Sequence, residues 1–116
     1  MNRPNKIECL DTSMGLILEE ALRISGVKNV NVHQEYGHYC LQRGKSQIHV
    51  SLDADTTVKI SFNGISLDGR IGKDFWELMK CCTSDGRSDS IKFLLADPNS
   101  IKIMAKVFRA VKPCWR

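Results

Sequence analysis

From Val30 to Leu67 apolar and polar residues alternate along the chain, the pattern of strands that bury one face. The turn residues between the alternating runs fix how those strands pair. Tyr36-Gly37 is a two-residue turn between Asn31 to Glu35 and His38 to Gln42; it sets Glu35 opposite His38, His33 opposite Cys40 and Val32 opposite Leu41. A second turn through Arg43-Gly44-Lys45-Ser46 sets Leu41 opposite Ile48, Cys40 opposite His49 and Tyr39 opposite Val50. A three-residue loop, Ala54-Asp55-Thr56, places Leu52, Val50 and Ile48 opposite Val58, Ile60 and Phe62, whereas a two-residue loop would put Lys59 among apolar side chains. Asn63-Gly64 is a strong hairpin signal and predicts pairs of Phe62 with Ile65, Ile60 with Leu67 and Lys59 with Asp68. The reading is a five-stranded antiparallel meander. One of its faces carries Val30, Val32, Tyr39, Leu41, Ile48, Val50, Leu52, Val58, Ile60, Phe62, Ile65 and Leu67 and must be covered.

Helical periodicity flanks the meander. The first helix starts at an N-cap among Asp11, Thr12 and Ser13, carries Met14, Ile17, Leu18, Ala21 and Ser25 along one stripe, and stops at Gly26. The second runs from about Asp74 to Cys82 with Phe75, Leu78, Met79 and Cys82 inward. The last is capped by Asp97, takes Pro98 at its first position, and aligns Ile101, Met104, Val107, Phe108 and Val111 before Pro113. Ile91 to Ala96 fits a strand through Ile91, Phe93 and Leu95, or a short helix capped by Ser88 through Ile91, Leu94 and Leu95; the helix is favoured. Residues 1–116 are therefore expected to form a single compact α+β domain. It would have an N-terminal helix, a five-stranded antiparallel meander, and two or three C-terminal helices packed on one face of the sheet.

Composition narrows the class. The chain has 116 residues, 42% hydrophobic and 26% charged, the values of an ordinary globular domain. Apolar runs such as Leu16 to Leu18 and Phe93 to Ala96 fall far short of the ~20 residues that span a bilayer. The first residues show no secretory pattern, so a cytoplasmic protein without membrane association is expected. Five cysteines, at positions 9, 40, 81, 82 and 114, follow no disulfide framework or Cys-x-x-Cys spacing, and reduced thiols are expected. A net charge of +4 favours approach to polyanions or acidic partners and argues against mimicry of DNA by a carboxylate-coated surface. Phosphate-cradling glycine loops, Gly-x-Ser-x-Gly elbows, His-Glu-x-x-His helices and calcium loops are missing from the sequence, so no cofactor is expected.

Three groups of residues remain as candidates. The inferred register lines up His33, Cys40 and His49 on the polar face, near enough to share a zinc ion, although a solvated sheet face collects the same residue types. His33 and His49 with Lys59 and Arg70 could instead supply base, acid and phosphate clamp for metal-independent ribonuclease chemistry. On the last helix Lys102, Lys106 and Arg109, followed by Lys112 and Arg116, make a basic stripe of the kind that binds nucleic acid through phosphates. Tyr36 at a hairpin tip and Trp115 beyond Pro113 are expected to be exposed and to serve as contacts for a partner; the alternative is that Trp115 folds back over the edge of the core.

No catalytic set stands out, so the leading expectation is a small non-enzymatic binding protein. It would be an adaptor or inhibitor of the sort found among phage and mobile-element accessory proteins, with a protein as partner. The alternatives are the ribonuclease and a nucleic-acid-binding module that uses the basic helix. Homodimerisation through a sheet edge is a further expectation.

Overall fold

The computed structural model describes residues 5–7, 13–35, 37–54, 56–63, 71–82 and 90–116. In chain order the elements are β1 (Lys6–Ile7), α1 (Ser13–Ser25), β2 (Asn31–Glu35), β3 (His38–Arg43), β4 (Ser46–Asp53), β5 (Thr57–Asn63), α2 (Lys73–Cys82), β6 (Ser90–Leu94) and α3 (Ser100–Val111), followed by a 3-10 turn, Lys112–Cys114. The strands form one six-stranded sheet in the order β1-β2-β3-β4-β5-β6. It is an α+β fold whose β2 to β6 are antiparallel, with β1 added parallel to β2.

The pairing predicted for β2 to β5 is the pairing observed: Val32 faces Leu41, Tyr39 faces Val50, Ile48 faces Phe62, and Asp53 and Thr57 close the three-residue loop. The fifth antiparallel strand is a different segment from the one predicted. β5 pairs on its far side with β6, so Ile60 meets Ile91 and Lys59 meets Lys92, in place of Leu67 and Asp68. The segment from Gly64 to Arg70, with the Asn63-Gly64 turn, lies outside the described residues. The helix favoured for Ile91 to Ala96 is likewise replaced by a strand. Its alternation puts Ile91 and Phe93 in the core and leaves Leu94, which the helix would have buried, 60% exposed.

The helices divide differently from the expectation. α2 is inserted between β5 and β6, and α3 alone follows the sheet. All three nevertheless pack on the same, apolar face. Met14, Leu18, Ala21 and Leu22 of α1 and Met104, Val107, Phe108 and Val111 of α3 join Val32, Leu41, Ile48, Val50, Val58, Ile60 and Ile91 in one core. Phe75 of α2 meets Phe62 edge to face, with ring centroids 6.1 Å apart. The caps of α1 at Asp11 and Thr12, and the side chains of Met79 and Cys82, lie outside the described residues. Asp97 does not cap α3 directly. Its carboxylate accepts from the Asn99 N–H at 2.8 Å in an Asx turn, so the helix starts at Ser100, beyond Pro98.

Two polar side chains tie the layers together. Asn5 next to β1 donates to the Val27 carbonyl at 2.9 Å and accepts from the Val30 N–H at 3.0 Å, pinning the α1–β2 connection to the sheet edge. Arg109 of α3 donates to the carbonyls of Ile24 at 3.0 Å and Ser25 at 3.4 Å, placing a cation at the C-terminus of α1, where unpaired carbonyls and the helix dipole favour it. After the 3-10 turn the chain docks on the β3–β4 hairpin. Arg43 donates to the carbonyls of Lys28, Lys112 and Trp115, and the Ser46 hydroxyl donates to the Arg116 carbonyl at 3.0 Å. Gly44, at φ +63°, lies so close to this segment that a Cβ there would be 2.6 Å from the Arg116 carbonyl carbon.

Candidate functional site on the polar sheet face

Strand alternation sends every second side chain of β2 to β6 away from the helices. The register sorts those positions into rows that cross the sheet. One row runs Asn31, Gln42, Gln47; the next runs His33, Cys40, His49, Ser61, Ser90; a third runs Glu35, His38, Ser51, Lys59, Lys92. All three helices lie on the opposite face, so among the described elements no helix covers these rows.

The middle of this face is a shallow depression of about 310 Å³ lined by His38, His49, Ser51, Lys59 and Ser61. The His38 and His49 rings are in contact, with centroids 5.0 Å apart and planes tilted by 33°. His49 Nε2 lies 3.1 Å from Gln47 Oε1, which holds the ring in place. Burial is the main cause that pushes the His49 imidazole below its ordinary pKa; the nearby His38 and His33 add to it and Glu35 opposes it. His38 Nε2 is buried with no hydrogen-bond partner among the described residues.

Beside the depression a second group forms. His33 Nε2 is 3.2 Å from Glu35 Oε1, and Cys40 lies directly across from His33. One donor atom from each of the three residues lies within 4.8 Å of the others. Cys40 is only 1% exposed, and burial, reinforced by the Glu35 carboxylate, pushes its thiol above the ordinary cysteine range. The thiol is therefore not a nucleophile activated by its surroundings.

The residues predicted from sequence sort as follows. His33, Cys40 and His49 do share a row, but their donor atoms diverge: His49 turns to Gln47 and His38, and Glu35 takes the third place beside His33 and Cys40. Of the proposed ribonuclease set, His49 and Lys59 line the depression while His33 does not, and Arg70 lies outside the described residues. His38, Ser51 and Ser61 complete the depression and were missed by the sequence reading. The pairing of Glu35 with His38 carried the signal, since it places His38 on the same face as His33 and His49.

On the helical layer Lys102, Lys106, Arg109 and Lys112 are exposed. The Arg109 guanidinium is engaged on α1, which removes one cation from a free stripe. Lys106 and Arg109 border a groove of about 580 Å³ between α2 and α3, floored by Phe75, Leu78 and Ala110. Tyr36 lies outside the described residues. Trp115 is 0% exposed, packed 5.8 Å from the Phe108 ring, so the expectation of an exposed aromatic contact there is corrected: an indole at this position completes the core.

No helix among the described residues is long and apolar enough to cross a membrane. Compared with protein-family models, with curated proteins and with solved structures, the chain finds no match.

Proposed function

We propose that the chain is a small non-enzymatic binding protein of the cytoplasm, an adaptor or inhibitor, that holds a protein partner on the polar face of its sheet. The observation that carries this reading is the depression lined by His38, His49, Ser51, Lys59 and Ser61 on the face opposite the described helices. Polar and charged groups converging on a shallow, open depression give a protein partner complementary hydrogen-bonding and charged groups to engage. Lys59 stands in one row with His38 and lines the depression with it, which suits carboxylates presented by an acidic segment of the partner. Among the described residues the face carries no Phe, Tyr or Trp for bases to stack on, so a single-stranded nucleic acid is less well served than a protein.

The test is to fill the depression. Ser61→Trp, half-buried on the polar face, should leave the fold intact and abolish capture of the protein that the wild type retains from its host lysate. Lys102→Ala with Lys106→Ala, on the opposite layer, should leave capture unchanged. Loss of capture in the lysine pair alone would transfer the binding surface to α3.

A second reading rests on one specific observation, the contact of two imidazoles in the depression that Lys59 also lines. His49, its pKa lowered, would be neutral near pH 7 and able to accept a proton, with Lys59 to stabilise a phosphorane. In this ribonuclease reading labelled RNA is cut in the absence of metal, and His49→Gln and Lys59→Met each abolish cutting while both proteins stay folded. Intact RNA after incubation with the wild type rejects it.

A further inference from the structure

We propose that His33, Glu35 and Cys40 form a three-ligand zinc site at the β2–β3 pair. Two of the donors lie two residues apart on β2, a spacing that puts both side chains on the same face of a strand. The third comes from the residue directly across on β3, where the Cβ atoms of opposed residues are about 5 Å apart. All three donors lie within 4.8 Å of one another. Zinc bonds of about 2.0–2.3 Å to nitrogen, oxygen and sulfur put tetrahedral donor pairs roughly 3.3–3.7 Å apart. The His33 Nε2 to Glu35 Oε1 separation of 3.2 Å already matches such an edge. Small side-chain rotations close the remainder.

The donor set selects the ion. A thiolate is a poor ligand for magnesium or calcium, which take oxygen donors, whereas sulfur, imidazole and carboxylate together suit borderline-soft zinc. The scaffold is rigid, because β2 and β3 are paired along the whole length that carries the ligands. Cys40 is buried and anchors the ion from below, while half-buried His33 and exposed Glu35 approach from the solvent side. With three protein ligands the fourth position is left to water or to a donor from another molecule. A His33–Glu35 ion pair alone would explain one contact of the cluster and would have no use for the sulfur. His49, directly across from Cys40, is held away by Gln47 and His38, so this site is distinct from the row of His33, Cys40 and His49.

Cobalt(II) provides the test. The full chain, reduced and stripped of metal by a chelator, should bind cobalt at one equivalent. It should show a near-ultraviolet sulfur-to-cobalt charge-transfer band and the intense visible bands of tetrahedral cobalt, both erased by zinc. Cys40→Ser should abolish the charge-transfer band. His33→Gln and Glu35→Gln, which are not core positions, should each weaken zinc binding at least roughly tenfold, the scale that loss of even an outer partner reaches. His49→Gln should bind as the wild type does. The proposal is overturned by a wild type without the band, by a band that survives in Cys40→Ser, by zinc affinity unchanged in Glu35→Gln, or by a loss in His49→Gln as large as in His33→Gln.

Discussion

Strands β2 to β5 carry two faces made by the same backbone, and the two were chosen for different reasons. The apolar face is determined by packing: Val32, Leu41, Ile48, Val50, Val58 and Ile60 are fully shielded by the helices, and each is an aliphatic residue whose removal leaves a void. On the polar face His33, His38, His49, Ser51, Lys59 and Ser61 follow the same alternation and are only half-buried, so the core makes no demand on them. A solvated strand position accepts almost any polar residue. The gathering of three imidazoles and Lys59 within neighbouring rows is thus the part of the sheet that folding leaves unexplained.

This contrast breaks first in the core. Ile60→Ala should cost about 2–5 kcal/mol and Trp115→Ala about 3–5 kcal/mol in denaturant unfolding, because each empties a fully enclosed site. Ser61→Ala, on the same strand as Ile60 but on the opposite face, should change stability by less than about 0.5 kcal/mol. Equal losses from Ile60→Ala and Ser61→Ala would erase the distinction between the faces. Next in size is Gly44→Ala, where a positive φ and the approach of Arg116 combine; a loss of about 1–2 kcal/mol is expected. Arg109→Ala, which strips the guanidinium from the α1 carbonyls, should cost about 1 kcal/mol. If Arg109→Ala proves neutral, the basic residue is free for another role on α3.

The smallest expected effect is a pH slope. The folded-state pKa of His49 is lowered, chiefly by burial, so on acidification the unfolded chain takes up its proton first. Stability is therefore unaffected by this group above its unfolded pKa of about 6.5, and falls as pH drops from there through the lower folded value. Unfolding midpoints measured from about pH 7 to about pH 5 should decline less steeply in His49→Gln than in the wild type. The same slope in both proteins would mean that the polar face leaves this imidazole as hydrated as in the unfolded chain.

The meander was legible in the sequence because its turns are local. Tyr36-Gly37, the Gly44 turn and the three-residue loop after Asp53 each set a register that the alternation of apolar residues then had to satisfy. β6 was not legible for the opposite reason. Ser90–Leu94 is five residues long and fits both periods, and its partner lies some thirty residues back in the chain, so nothing nearby distinguishes strand from helix. The Asn63-Gly64 signal pulled the reading toward a nearby partner for Ile60, and a distant one prevailed. Trp115 shows a related limit: a residue beyond the last helix has no periodicity to place it, and its burial comes from the docking of the chain end on Arg43 and Ser46. On the polar face the register located the histidines, but side-chain rotation decided their partners, which turned His49 toward His38 and gave Glu35 to His33.

The central claim, that the polar face is the recognition surface, is tested most directly by backbone amide shifts. The captured partner is titrated into isotopically labelled protein and the perturbed residues are mapped. The account predicts shifts concentrated at His38, His49, Ser51, Lys59 and Ser61, with α3 unmoved. Shifts confined to Lys102, Lys106 and Lys112 would contradict it.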